Sequence, residues 1–411
     1  MNERRIIPIS PAGRGLPDSP LPLPQRPQLS APPPLALYVH FPWCVRKCPY
    51  CDFNSHTVRG EGSTLPEAEW LQAVVADLEA SLPQVWGRRV HSIFIGGGTP
   101  SLLSAAGLDA LLTAIRMRLP LDPLAEITLE ANPGTVEAAR FRDYRAAGIN
   151  RLSLGIQSFD DAMLGRLGRI HGGDEAKRAI EIAQANFERV NLDLMYALPE
   201  QSLAQALADL ETALAFGTGH LSCYHLTMEP NTPFGHSPPP VPDEDASADM
   251  QDAIESRLAA AGFEHYETSA FARPNQHSRH NLNYWSFGDY LGIGPGAHGK
   301  LSSHEGIVRE MRHKHPARYL EGAARGDFVQ EKREVSVAEL PFEFMMNTLR
   351  LTGGFQTSLF ASRTGLPLAA VAAELKQAQA QGLLEVGNDF IRPTERGRHF
   401  LNDLLQLFLK D

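Results

Sequence analysis

Three of the four cysteines in this 411-residue chain fall within eight residues. Cys44, Cys48 and Cys51 are spaced C-x3-C-x2-C on a loop that directly follows a short apolar run. Three thiolates can hold three corners of a cubane iron–sulfur cluster and leave the fourth iron without a protein ligand. A small molecule can bind at such an open iron and accept an electron. Two other uses of these residues stand beside that one. A structural zinc wants four ligands, usually in two pairs; no second cysteine pair exists, so His40 or His56 would have to be the fourth. A disulfide conflicts with a large, cysteine-poor chain, whose closely spaced thiols suit a reducing compartment.

Other elements must bring polar groups to those thiols. From Leu35 onward strand-then-helix units repeat, with strands expected at 35–40, 90–95, 126–131, 151–156, 190–197 and 220–228. Thr64-Leu65-Pro66-Glu67 reads as a capping box ahead of one apolar stripe, Trp70, Leu71, Val74, Val75, Leu78 and Leu82. Thr99-Pro100 offers an N-cap with proline at the first helical position, for a helix ending near Leu119. Further helices are expected at 135–147, 174–187 and 202–216. Six β-α repeats joined by right-handed crossovers predict an α/β fold, a mostly parallel sheet curled into a partial (β/α)6 TIM-like barrel. A doubly wound sheet is the competing layout.

Polar residues gather at the strand ends. The second strand runs into Gly96-Gly97-Gly98-Thr99-Pro100. The third ends at Glu130-Ala131-Asn132-Pro133 and the fourth at Gly155-Ile156-Gln157-Ser158-Phe159. Asp193 lies on the fifth, and Tyr224 and Thr227 on the sixth. C-terminal strand ends form the active face of parallel α/β folds, and the cysteine loop follows strand one on that same face. Gly96 to Gly98 lack side chains, so their backbone could approach a ligand closely. The spacing is neither G-x-G-x-x-G nor G-x4-G-K-[ST], which argues against a nucleotide-phosphate loop.

The C-x3-C-x2-C loop, with Tyr50 before its last cysteine, resembles the signature of radical S-adenosylmethionine (SAM) proteins. In that family the open iron takes the amino and carboxylate groups of SAM. Glu130 and Asp193 could then accept hydrogen bonds from the SAM amino group or ribose hydroxyls, and Arg169 could hold the carboxylate through a bidentate contact. Tyr50 could lie against the adenine. The alternative for Arg169 is a solvent-exposed charge at a helix end.

Within that superfamily the chain resembles the oxygen-independent coproporphyrinogen III oxidase group, from residue 35 to about 410. The resemblance rests on Tyr38-Val39-His40-Phe41-Pro42-Trp43-Cys44, the cysteine loop, Gly96 to Pro100, Gly155 to Phe159 and Asp193-Leu194-Met195-Tyr196. It implies a [4Fe-4S] cluster on Cys44, Cys48 and Cys51. It also implies SAM contacts from Tyr38, Tyr50, Gly97, Gly98, Thr99, Glu130, Gln157, Arg169 and Asp193, with Thr227 at a further contact position. The oxidases resemble C-x3-C-x2-C-x-C, and here Phe53 stands at the place of the extra cysteine. Arg279-His280-Asn281-Leu282-Asn283-Tyr284-Trp285 instead matches the H-N-x-x-Y-W motif of the group's heme-chaperone branch. That match implies heme binding by His280, Asn281, Tyr284 and Trp285. A neutral histidine is a usual axial ligand of heme iron, and two aromatics can offer flat apolar surface to a porphyrin. The alternative is that His280 and Asn281 cap a turn while the aromatics fill the core. Gly292 to His298 resembles a segment that closes over the SAM site, with His298 facing it; a plain surface turn is the other reading. Cys223 reads as a small buried apolar residue, and His171 as a loop residue.

Composition bounds these readings. The hydrophobic share of 43% and charged share of 21% suit a globular enzyme-sized protein. A net charge of -10 gives no general pull toward nucleic acid. No apolar run approaches membrane-spanning length, and no hydrophobic stretch follows Arg4-Arg5, so a cytoplasmic location is expected. Residues 1–34 are proline-rich and poor in large apolar side chains, which predicts an extended or disordered tail. The barrel with its motif extension is expected over 35–330. From about Glu331 the rhythm changes: helices at 337–351, 357–364 and 367–382, a hairpin around Gly387-Asn388-Asp389, and a last helix from Thr394. Residues 331–411 therefore read as a small, mostly helical, winged-helix-like unit that covers the barrel mouth or offers a surface to a client.

Two functional readings compete. One is a heme chaperone whose partners are heme, apo-hemoprotein clients, an electron donor and a second copy of the chain. The other is an oxidase that decarboxylates coproporphyrinogen III, with Phe53 set against it. A zinc-bound nucleic-acid protein is the foil.

Overall fold

The structure is a computed structural model, and it describes residues 24–58, 65–135 and 138–409. Most of the expected tail, residues 1–23, lies outside the described residues, as does Thr64 of the expected capping box.

Six strands from the β-α repeats build most of the parallel part of the sheet: β1 (Leu35–Phe41), β2 (Val90–Gly97), β3 (Leu121–Ala131), β4 (Arg151–Gln157), β5 (Val190–Tyr196) and β6 (His220–His225). Each pairs in parallel with the next. The alternation along β1 explains its sequence. Leu37, Val39 and Phe41 are fully buried in the main core, while Tyr38 and His40 join the polar groups on the other face. Helices α1 (Glu67–Val85), α2 (Ala105–Arg118), α3 (Ala138–Ala147), α4 (Gly173–Asn186) and α5 (Leu203–Ala215) supply the crossovers. Their apolar stripes close the main core, with Trp70, Leu111 and Ile180 fully buried in it.

The sheet is wider than six repeats. Glu264–Glu267 and Ala270–Ala272 add antiparallel strands beyond β6. Asp289–Ile293 pairs in parallel with β1 on the other edge, and 298–302, 307–312 and 329–334 continue antiparallel from it, making a twelve-stranded sheet. The outermost strand, Val329-Gln330-Glu331-Lys332-Arg333-Glu334, is exposed along its whole length. Such a strand carries no alternating apolar pattern by which to be recognised, and its charges blunt the sheet edge.

Helix starts correct two expectations. α1 begins at Glu67 with Pro66 as its N-cap and no side-chain cap, so the expected capping box does not open it. Thr99 makes no side-chain cap; Pro100–Leu102 form a short 3-10 turn. The long helix begins at Ala105 under Ser104, whose hydroxyl accepts from Gly107 N at 2.9 Å. Part of the expected tail is packed. Gln28 N–H donates to Gly365 O at 3.2 Å, and Leu29 lies against the second core. That second core is centred on Phe344 and Phe360, within helices Leu340–Thr348 and Thr357–Thr364. A three-stranded sheet, ordered 355–356, 390–393, 384–386, lies beside them. The last helical stretch is broken at Phe400. Among the described residues no helix is long and apolar enough to cross a membrane.

Candidate functional site

The C-terminal ends of the parallel strands surround a cavity of about 300 Å3. Cys44, Cys48 and Cys51 line it, as do Tyr50, Gly97, Gly98, Thr99, Glu130, Gln157, Arg169, Asp193 and Thr227. Twelve of the thirteen residues expected at the cluster and SAM therefore meet at one mouth. Tyr38 does not line it. Its ring lies beneath, beside Phe94, with its hydroxyl on His40 Nδ1 at 2.9 Å.

The cysteine loop is held from behind. His40 Nε2 donates to Asn54 O at 2.9 Å, which leaves Nδ1 to accept from Tyr38. Burial lowers the His40 pKa to about 4, so the ring is neutral. Both its nitrogens are engaged, and this removes His40 as a fourth zinc ligand. The Asn54 amide donates to Pro295 O at 3.0 Å and Lys314 O at 2.8 Å, clamping the loop between Cys51 and Ser55 to the glycine-rich turn and to the segment after strand 307–312. That turn therefore supports the loop from outside, and His298 is exposed and away from the cavity. The glycines after β2 also have a different reason from the expected one. A Cβ on Gly97 would fall 2.4 Å from the His40 ring, and one on Gly98 would fall 2.5 Å from Trp43 O. They are bare because the cysteine loop packs on them, as much as for any ligand.

The electrostatics of the mouth are divided. On one side Arg169 is aimed inward rather than at solvent. Its guanidinium donates to Asn132 Oδ1 at 2.6 Å and Gly155 O at 2.8 Å, and lies 3.5 Å from Cys48 Sγ. Its Nε is buried without a partner. On the other side are two carboxyls. Burial, helped by Asp193, pushes Glu130 up to about 7, although Gly97 N–H donates to it at 3.0 Å. Burial also raises Asp193, against hydrogen bonds from Ser153 and Asn191 at 2.9 Å. Gln157 sits at the end of β4 with a left-handed φ of 67°, a strained backbone of the kind that collects at ligand sites. Cys44 and Cys51 are held above the usual thiol range by burial.

The residues present fit a cluster and SAM. The donor set is three free, half-buried thiols. A zinc would draw its sulfurs to within roughly 3.8 Å of one another, given a Zn–S bond of about 2.3 Å. Among the described residues no three His, Cys, Asp or Glu side chains are gathered closely enough to hold one ion. An amino acid such as the methionine end of SAM needs a cation for its carboxylate and acceptors for its ammonium. Arg169 with its unpartnered Nε, and Glu130 with Asp193, are of those types.

Four contributors were not singled out from sequence: Asn132, Ser153, Asn191 and Asn54. Ser153 and Asn191 carried a legible signal, because Ser153-Gly155-Gln157 and Asn191-Asp193 alternate onto one face of their strands, and Asn132 stood in the polar run that ends the third strand. Asn54 carried none, since its partners lie more than 200 residues away. His171 lies in a loop, as expected, and is buried there, with Nε2 on Ile156 O at 3.1 Å. Cys223 is buried, as expected.

The H-N-x-x-Y-W motif lies elsewhere. It forms a short helix, Arg279–Trp285, capped by Ser278. His280 meets Ser92 Oγ at 3.2 Å through Nδ1, and its backbone N–H donates to Glu126 at 3.1 Å. Ser92 is near the start of β2 and Gly97 at its end, so floor and mouth are roughly 16 Å apart along the strand. Burial lowers the His280 pKa to about 4, and its ring lies 5.0 Å from that of Phe94. Asn281, Tyr284 and Trp285 are partly exposed. Tyr284 stacks edge-on against Trp285 at 4.9 Å, and Arg350 from the C-terminal unit covers Trp285 at 5.0 Å. Among the described residues, none beyond Glu229 lines the mouth cavity. Of the two expected roles for the C-terminal unit, covering the mouth therefore finds no support in the cavity's lining.

Residues 38–213 match the radical SAM superfamily, and residues 335–400 match the HemN C-terminal domain. The heme chaperone HemW of Escherichia coli (strain K12) is 50% identical over 381 residues, spanning 92% of this chain and 99% of its own. The heme chaperone HemW of Haemophilus influenzae is 48% identical, with the same coverage of both chains. A bovine protein, radical S-adenosyl methionine domain-containing protein 1, mitochondrial, is 36% identical over 95% of this chain and 89% of its own. The solved structure of coproporphyrinogen III oxidase (HemN) from Escherichia coli superposes with a TM-score of 0.78 at 22% identity, covering 92% of this chain and 90% of that one. At that identity the likeness is one of fold. The length and level of the curated matches settle the family: the chain belongs to the heme chaperone HemW family of radical SAM proteins.

Proposed function

We propose that this protein binds heme as cargo and passes it to apo-hemoproteins, with a [4Fe-4S] cluster and SAM bound at the opposite end of the same barrel. Cys44, Cys48 and Cys51 would hold the cluster. Arg169 would take the SAM carboxylate, and Glu130 and Asp193 would accept from its ammonium or ribose. When bound, the cluster supplies an iron without a protein ligand, where SAM can chelate and an electron can be delivered.

The observation that carries the reading is the separation of the two sites. An oxidase must bring a porphyrin's propionate side chains to the mouth where SAM lies. Here the residues matched to heme are on the floor helix, and Phe53, 60% exposed, stands at the place of the oxidase's further cysteine. Carriage is compatible with that separation; decarboxylation at the cluster is not. Tyr284 and Trp285 would give the porphyrin an apolar face. Residues 331–411, which we take as a separate unit from the barrel of 35–330, place Arg350 against Trp285 of that helix and would offer the client its surface. The reading extends to a cytoplasmic location, an electron donor for the cluster, and a second copy of the chain as a further partner.

The test is a heme titration. Purified protein should develop a Soret band that weakens in His280→Ala, and reconstituted protein given reductant, SAM and coproporphyrinogen III should form no protoporphyrinogen IX. Product formation would overturn the reading.

A further inference from the structure

Between mouth and floor runs an unbroken line of buried hydrogen bonds that neither the cluster nor the cargo role uses. Asp193, on the cavity wall, accepts from Asn191 Nδ2 at 2.9 Å. Asn191 Oδ1 meets His220 Nδ1 at 2.5 Å, and His220 Nε2 meets the Tyr266 hydroxyl at 2.8 Å. That hydroxyl accepts from the backbone N–H of Ser278 at 3.3 Å. Ser278 is the residue whose own hydroxyl caps the motif helix, accepting from Asn281 N. Each bond has one direction. Asn191 Oδ1 only accepts, so His220 carries its proton on Nδ1; Nε2 then accepts from Tyr266, whose oxygen is left for Ser278. The line requires a neutral imidazole, and burial of His220 keeps it so.

At its lower end the motif helix is docked on the floor: His280 is 9% exposed, bonded to Ser92 and packed on Phe94. An imidazole so placed cannot stand over a porphyrin face, so ligation of heme iron by His280 requires the helix to leave the floor. The docked state is held by Tyr266 and by Glu126, which also accepts from the Ser278 hydroxyl and the His280 amide.

We propose that a hydroxyl- or ammonium-bearing nucleoside held by Asp193 and heme held by the motif helix oppose one another through Asn191, His220, Tyr266 and Ser278. This rests on the function proposed above, with SAM as the nucleoside. A ligand on Asp193 orders its carboxylate and the Asn191 amide behind it, which stiffens the line that keeps the helix docked. SAM arrival therefore favours heme release, and by linkage heme weakens SAM to the same degree.

Anaerobically reconstituted protein is titrated with heme, with and without SAM. The expected result is heme affinity about 5-fold or more weaker with SAM. Tyr266→Phe, which keeps the ring and removes the hydroxyl, should bring that ratio close to one and tighten heme binding without SAM. No SAM effect, tightening by SAM, or an undiminished ratio in Tyr266→Phe would overturn the proposal. Amide hydrogen exchange across residues 278–286 supplies a readout that needs neither variant nor heme. SAM should slow it, and unchanged exchange would refute the coupling. Failure of the protein to bind heme at all would instead count against the function itself, and the exchange measurement would still decide the coupling.

Discussion

Gly97→Ala puts the support of the cysteine loop to a quantitative test. Gly97 has a φ of 111°, where an L side chain is strained, and its new methyl would lie 2.4 Å from His40 Cε1 and 2.6 Å from Nδ1. Carbon atoms pack at about 3.5–4.0 Å, so the ring would have to retreat by more than 1 Å. It cannot turn freely, because Tyr38 and Asn54 hold both nitrogens at 2.9 Å. Three costs combine: about 1–2 kcal/mol for the left-handed alanine, about 1–3 for overpacking, and about 1 for each hydrogen bond broken. These overlap, and about 3–5 kcal/mol in all is expected. Because Asn54 lies between Cys51 and Ser55, the damage should also reach the thiols. The assay is guanidinium unfolding together with iron content after anaerobic reconstitution. Gly165→Ala is the control: nothing lies within 4 Å of a Cβ there, inside a short helix, and a gain of up to about 1 kcal/mol is expected. Full iron content with a loss below about 1 kcal/mol in Gly97→Ala would refute the packing argument.

Other consequences follow from the same geometry. Arg169→Met should weaken SAM binding about 10- to 100-fold by calorimetry, since a hydrogen bond to a charged group contributes about 1.5–3 kcal/mol; unchanged affinity would remove it from the site. Asp77→Asn should cost about 3–5 kcal/mol of stability, because Asp77 is the buried partner of Arg312 at 2.9 Å and also accepts from Tyr319 and Gly294; a loss under about 1 kcal/mol would contradict this. Glu130 holds its proton up to about 7 in the fold against an ordinary 4.5. Between those values the folded chain binds a proton the unfolded chain has released, so its contribution makes stability fall as pH rises through that window. Unfolding midpoints should show the slope flatten in Glu130→Gln, and an identical pH profile would show the carboxyl to be solvated.

The parallel strands and the convergence of the mouth were legible because their signals are local. Period-two alternation and polar strand ends in parallel units fix which face a residue takes. Long-range reasons were not legible. Gly97 and Gly98 are glycine because His40 and Trp43 pack on them, and Arg169 is buried because Asn132 and Gly155 draw it inward. Thr99 looked like a helix cap until Ser104, five residues on, proved to be the better placed acceptor. The floor position of His280 depends on contacts with Ser92 and Glu126, more than 150 residues away, and no motif encodes that. The outermost antiparallel strand, 329–334, escaped because an exposed, charged strand has no apolar rhythm to read.

The central claim is a cluster held by three thiolates whose remaining iron is open to SAM. Electron paramagnetic resonance of the reduced, anaerobically reconstituted protein tests it most directly. The account predicts the signal of a [4Fe-4S] cluster that changes shape when SAM is added and is lost when Cys44, Cys48 and Cys51 are replaced by alanine. A spectrum indifferent to SAM, or one that survives that replacement, would contradict it.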